Sequence, residues 1–330
     1  MTRASFVAFL VLTIFCGVTA SGAPGDGVDA GSFVRDGVGA RAFGFGGAFN
    51  AIADDASAVV WNPAGLAGLE GINLQAMHTN RYGLGISFQF IGATITTNGL
   101  GLGLSVVRSS IDQIPFYGED GEEGFFSEIQ TLILGSVGYE VGGVLDLNLN
   151  VPVDLYLGAS GKIYSHSILE GRGSGLGFDV SALAQLSFEW GDLRLGYTAH
   201  DFGTTKIKWR GTDHNPTNSV PWINTLGVAA SLFDHALVLS SDIDIALGRS
   251  HLDRLHVGAE YRPLKELAGR LGTVFSGSGF RVTYGGSLYL AGFVLDYAYV
   301  PHKDLGGSHV ISLDYQFSPW WNGEKGDESE

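Results

Sequence analysis

From about residue 70 onward, large apolar and polar residues alternate along the chain with a period of two, the signature of strands with two unlike faces. Fourteen such runs can be marked: 70–79, 83–96, 99–110, 127–141, 151–165, 175–190, 192–203, 221–234, 235–248, 252–263, 267–277, 279–290, 292–302 and 307–317. In the last run, Ile311, Leu313, Tyr315 and Phe317 share one face, while Ser312, Asp314 and Gln316 share the other. In 235–248, Leu237, Leu239, Ile243 and Ile245 oppose Ser240, Asp242 and Asp244. In 252–263, Leu255, Val257 and Tyr261 oppose Arg254, His256, Glu260 and Arg262. Most runs have ten residues or more, against ~5–6 in soluble sheets, and match the ~9–11 tilted residues that cross a bilayer. The pattern predicts an all-β protein, a 14-stranded antiparallel transmembrane β-barrel over 70–317.

A soluble sandwich also alternates, so the placement of charge matters. On a lipid face each Lys or Arg costs roughly 2–4 kcal/mol at the midplane. Here Asp154, Lys162, Arg194, Asp242, Asp244, Arg254, Glu260 and Arg281 all lie opposite the large apolar residues. Either the apolar face meets lipid and the charges line a lumen, or it meets a core and the charges face water. Strand length favours lipid. Both charge signs occur on the inward face, so a paired network filling the lumen is expected rather than a one-sign selectivity ring.

One stretch breaks the pattern. Gly39 to Gly68 reads GARAFGFGGAFNAIADDASAVVWNPAGLAG, small and glycine-rich, with an acid pair at Asp54 and Asp55 and a turn at Asn62-Pro63-Ala64-Gly65. It is expected to be a plug at the barrel mouth, within a linker-and-hatch region 21–69. Residues 1–20 read as a signal peptide: Arg3, an apolar core from Phe6 to Val18, then small residues. The core is too short to span a bilayer. Cys16 is the chain's single cysteine and would leave with the leader. The two longest connections, 110–127 and 203–220, fall on the same end of the barrel, as outer loops should. The residues 318–330 read as a polar periplasmic tail carrying Trp320 and Trp321.

Composition agrees with this. Charged residues make up 16% of 330, glycine numbers 50, aromatics reach 12%, and mean hydropathy is +0.17. A barrel wall shows apolar residues to lipid on alternate positions only, so hydropathy stays modest. The net charge of −15 argues against nucleic acid, which needs a basic footprint.

The motif at 39–68 resembles the N-terminal segment of PorV/PorQ-type outer-membrane proteins, a branch of the long-chain fatty-acid transporter (FadL-like) barrel superfamily. Tyr261 to Gly272, Asp296 to Pro301 and His309 to Phe317 agree with it. The resemblance implies a bacterial outer-membrane barrel with a periplasmic hatch. In the transporters, hydrophobic ligand leaves sideways at a kinked third strand; other PorV-branch members serve as shuttles or anchors in type IX secretion. The function expected is passive uptake of small hydrophobic, fatty-acid-like molecules. The alternative is a scaffold that holds a secreted or periplasmic protein.

Candidate residues follow, each with two readings. Asn62, Pro63 and Gly65 either bond the hatch to the wall or only make the turn. Arg41, Asp54 and Asp55 either pair across the lumen, the acids with Arg194, Arg254 or Arg281, or are a cap or solvated pair. Gly99, Gly101 and Gly103 either let the third strand kink into a lateral gate or make room for the hatch. Phe43, Phe45, Phe49 and Trp61 are candidate contacts for hydrophobic ligand. His166, His200 and His256 lack zinc spacing, and no nucleophile motif accompanies the acid pair. No enzymatic activity, cofactor or metal is expected; the partners are outer-membrane lipid and hydrophobic ligand.

Overall fold

The computed structural model describes residues 31–118, 121–141, 151–212, 214–246, 253–277 and 279–317. The leader, Cys16, the acids at 119–120, the inner turn at 142–150 and the tail from 318 lie outside the described residues. The strands are β1 (Gly71–Arg81), β2 (Ile86–Thr97), β3 (Leu100–Gly118), β4 (Gly121–Glu140), β5 (Val153–Ile168), β6 (Gly171–Phe188), β7 (Gly191–His200), β8 (Thr205–Arg210), β9 (Thr217–Val220), β10 (Ile223–Leu232), β11 (Leu237–Ala246), β12 (Arg254–Leu264), β13 (Leu267–Ser276), β14 (Gly279–Leu290), β15 (Phe293–His302) and β16 (Gly306–Phe317). Neighbours pair antiparallel, β1 pairs with β16, and β7 pairs with β10, so the sheet closes on itself.

Sixteen segments make fourteen staves. The partners of β6 run from Ala199, opposite Val180, to Lys208, opposite Ser174, so β8 continues the line of β7. In the same way His200 faces Ile223 and Thr205 faces Val220, so β9 continues β10. Both staves are interrupted at one level, at 201–204 and 221–222. Asp201, Gly203 and Thr204 there have positive φ, which breaks a strand for any residue but glycine at some cost. The connection 203–220, read from the sequence as an outer loop, is therefore mostly strand. So is 110–127: β3 and β4 run on past the neighbouring strands as a projecting hairpin, with an irregularity between Ile111 and Ile114.

The outward face carries the large apolar side chains, including Leu74, Ile91, Leu104, Ile133, Ile163, Leu195, Leu271 and Leu313, all exposed. An apolar belt around a closed barrel is stable only against lipid. No helix among the described residues is long and apolar enough to cross a membrane.

The lumen is filled by the N-terminal segment. It holds a 3-10 turn (Ser32–Val34), α1 (Ala40–Gly44), α2 (Ala58–Trp61) and a second 3-10 turn (Pro63–Gly68). Helices of one turn do not persist alone; these are held by the wall. We call the end where β1 begins and β16 finishes the near end, and the opposite end the far end. At the far end Arg81 Nη2 donates to Phe33 O at 3.0 Å. At the near end Thr96 Oγ1 donates to Leu66 O at 2.8 Å. The segment thus runs through the barrel from end to end, rather than sitting at the mouth as expected from sequence. Its Phe33, Val38, Val59 and Leu66 pack with Phe88, Phe90, Leu132, Leu134 and Tyr164 of the wall to form the main buried cluster.

Candidate functional site: the filled lumen

Wall glycines permit the fit. A Cβ on Gly101 would lie 2.3 Å from Leu66 O, and one on Gly103 2.4 Å from Val59 Cγ2. Gly99 is not in β3; with Asn98 it forms a two-residue turn, both at positive φ, the geometry that hairpins of this length require. Through Leu100–Ile111, β3 pairs without interruption on both sides. Of the two readings of these glycines, the kinked strand is therefore not seen here; Gly101 and Gly103 make room for the segment, whereas a Cβ on Gly99 would meet Glu140 of the wall.

Polar contacts then lock the segment to the wall. Asn62 fulfils both readings: its Oδ1 accepts Ala64 N at 3.1 Å, and its Nδ2 donates to Asn50 O at 2.9 Å and to Ala182 O of β6 at 3.3 Å. Pro63 opens the second 3-10 turn. Gly65 is required because a Cβ would meet Ala53 O at 2.3 Å. Asn50 N donates to Asp242 Oδ2 at 2.7 Å. His256 bridges Gly46 O at 2.7 Å and Asp244 Oδ2 at 3.2 Å. Arg194 Nη1 donates to Ile52 O at 3.0 Å, and Arg254 Nη1 to Asp36 Oδ1 at 2.9 Å.

The acid pair does not reach a wall arginine. Arg41 takes that place: it contacts Asp54, lies 4.0 Å from Asp55, and makes two 3.2 Å bonds to Glu260 of β12. The segment supplies its own cation because Arg194 and Arg254 are already engaged with Ile52 and Asp36. Arg281 bonds neither acid; its Nε is buried with no hydrogen-bond partner among the described residues, and its side chain lines a far-end vestibule of about 530 Å³. Arg270 went unremarked in the sequence as a lumen charge, yet its side chain is fully buried between Glu260 and Asp296. Its position in Leu267-Ala268-Gly269-Arg270-Leu271 puts it opposite two leucines, and that alternation could have found it.

Two titrating groups of the segment respond to pH in opposite senses. Burial, aided by Asp54, pushes Asp55 up to about 6 against the pull of Arg41 and Ser57. Burial would also raise Asp36, but Arg254, Arg81 and Arg281 hold it well below the usual carboxylate range. Asp55 therefore contributes stability that is complete below the usual value of 3.8 and is lost as pH rises through about 6. Asp36 contributes stability that persists above 3.8 and goes only as pH falls through its depressed value. Amide exchange near 55–62 should quicken between pH 4 and pH 7 beyond the intrinsic base-catalysed trend. Asp55→Asn should abolish that excess; an unchanged profile would remove Asp55 as its source.

A cavity of about 80 Å³ lies in mid-lumen between the segment and the broken staves, lined by Val60, Trp61, Leu132, Leu134, Val220 and Ile223 on its apolar side. His200, Asp201, Lys162, Asp244 and His256 line its polar side. Of the four aromatic residues proposed from sequence as ligand contacts, only Trp61 borders this cavity. Phe45 and Phe49 are fully buried and Phe43 nearly so. They serve the packing of segment on wall, because the glycine-lined wall lets their backbone close in. At the break, exposed Phe202 and half-buried Trp222 lie with ring centroids 4.5 Å apart and their planes tilted by 56°. Directly behind them stand Asp201, Pro221 and Ile223 of the cavity.

A family profile described as an uncharacterised protein family (UPF0164) matches residues 33–153, the segment and the first staves. Among curated proteins none matches the chain in sequence. Solved structures are similar in fold. A monoaromatic hydrocarbon channel, the TodX deltaS2S3 mutant, is 12% identical with a TM-score of 0.55, over 86% of this chain and 100% of that one. The CymD monoaromatic hydrocarbon channel is 13% identical with a TM-score of 0.53, over 87% and 99%. The Pseudomonas putida toluene transporter TodX is 12% identical with a TM-score of 0.50, over 84% and 96%. At such identities the likeness is one of fold: a closed fourteen-stranded antiparallel barrel.

Proposed function

We propose that this chain is an outer-membrane channel for passive uptake of small hydrophobic molecules, with the N-terminal segment as its hatch. The observation that carries the reading is the mid-lumen cavity, which lies between that segment and the paired break in the wall at 201–204 and 221–222. Solute would enter from the far-end vestibule, rest against Trp61, and leave sideways through the break once Phe202 and Trp222 part. No bond is made or broken; the gradient supplies the drive. That the fold neighbours are monoaromatic hydrocarbon channels supports the solute class, and the break replaces the third strand as the side route. The PorV/PorQ placement within the superfamily rests on the 39–68 motif.

The test is a cysteine pair across the break, Phe202→Cys with Trp222→Cys. Uptake of labelled toluene by cells with a tight outer membrane should fall to the level of barrel-free cells on oxidation and return on reduction. Equal uptake by oxidised and reduced forms would discard the side route alone. A wild-type rate no higher than that of barrel-free cells would discard uptake itself.

A further inference from the structure

Charge at the far end of the barrel is unbalanced. The vestibule of about 530 Å³ is lined there by Arg254, Arg281 and Lys303, with Asp36 as the one acid among its described lining residues. That acid is already engaged: Arg254 Nη1 donates to Asp36 Oδ1 at 2.9 Å, and Arg81 Nη1 lies 3.8 Å from Oδ2. Close by, Arg35 pairs with Asp253, and Lys303 Nζ lies 3.8 Å from Asp304. Arg281 forms neither an ion pair nor a hydrogen bond among the described residues, and its Nε is closed off from water. Its place on β14 explains this. Thr283, two residues on, turns inward to bond Gly44 O, so Arg281 turns inward too, and its register partner on β13 is Val274, which offers no acid. The half-buried side chain lines the vestibule, so its two outer nitrogens are what an arriving anion meets. A guanidinium partly out of water with no acid beside it costs desolvation energy that an anion recovers. His302, also in the lining, adds a donor. Its Nδ1 accepts the backbone N–H of Asp304 and of Leu305, both at 3.2 Å, which leaves the ring proton on Nε2.

We propose that this vestibule binds a phosphate monoester, carried by a soluble ester or by a lipid headgroup. The lining cations exceed the acids by two, close to the charge of that group near pH 7. The outer nitrogens of Arg281 form a planar fork that matches two phosphate oxygens. His302 Nε2 donates to a third, and Lys303 at the rim supplies a point charge. A carboxylate fills the fork but has no third oxygen for His302, and it leaves one positive charge unanswered. The site goes beyond the uptake reading and does not depend on it.

Calorimetric titration of the full chain in a neutral detergent at low salt, with methyl phosphate and acetate as probes, tests this. Methyl phosphate should bind about tenfold tighter than acetate, the size of one further charge-assisted hydrogen bond. Arg281→Gln should remove that preference. Arg281→Lys, which keeps the charge without the fork, should retain part of it. Lys303→Gln, at an exposed position, should weaken methyl phosphate severalfold and acetate less. Heat-modifiable migration confirms that each variant is folded. Acetate binding as tightly as methyl phosphate overturns the site. So does a phosphate preference that survives Arg281→Gln, or no binding of methyl phosphate at about 10 mM. Each of these leaves the uptake reading standing, since toluene entry is measured separately. The carrier is read in phosphatidylcholine nanodiscs with and without phosphatidic acid. If the lipid supplies the group, phosphatidic acid abolishes the methyl phosphate heat; if a soluble ester does, the heat persists. Either result upholds the site.

Discussion

Deleting residues 40–68 opens the barrel: in planar bilayers the variant should conduct ions roughly tenfold or more above the full chain, since barrels only slightly wider leave an aqueous channel. The segment occupies the lumen from Phe33 at the far end to Leu66 at the near end. Wall glycines bring Gly101 and Gly272 against its backbone with no space for a Cβ. No inward side chain of those positions can fill the gap once it is gone. The deletion also exposes charge. Asp242, Asp244, Glu260, Asp296 and Asp314 then face water together with Arg194, Arg254 and Arg270, while Arg41 is lost. The open pore should favour cations modestly, read as a shifted reversal potential in a salt gradient. A deletion variant as silent as the full chain would mean that something other than this segment closes the lumen.

The fourteen staves were legible because each must show lipid an apolar side chain at every second position. Strand 307–317, with Ile311, Leu313 and Tyr315 outward and Ser312 and Asp314 inward, is read correctly from that rule alone. The segment was legible as an interruption of the rule, and Asn62 as its fixed turn. What could not be read was partnership across the lumen. Nothing in sequence tells Asp54 that its cation is Arg41, thirteen residues back, rather than a wall arginine. The break at 201–204 was hidden for another reason. β8 and β9 are short and flanked by turn residues, so the region resembles a loop, and only the register against β6 makes β8 a continuation of β7. The alternating glycines of β3 permitted both a bend and a close approach. The choice between them depends on Leu66 and Val59, some forty residues away in sequence.

Arg270→Ala should cost the barrel about 3–5 kcal/mol, the loss expected when one partner leaves a buried ion network. The guanidinium is fully buried, its Nη1 donates to Asp296 Oδ1 at 2.9 Å, and it also contacts Glu260 and Ser287. Removing it leaves Asp296 with no cation at bonding distance among the described residues. Glu260 keeps Arg41, so the loss falls mainly on the β13–β15 wall. Glu260→Gln should cost much less, because Arg41 retains Asp54 and Arg270 retains Asp296. Combining Arg270→Met with Glu260→Gln and Asp296→Asn should recover most of the stability, since neutral groups of similar volume replace a buried network at little net cost. Urea unfolding in detergent, followed by heat-modifiable migration, gives all three values. The order expected is a large loss for Arg270→Ala, a small one for Glu260→Gln, and near-recovery for the triple variant. A loss below about 1 kcal/mol for Arg270→Ala would place this cluster among solvated ion pairs and remove it as the anchor between wall and segment.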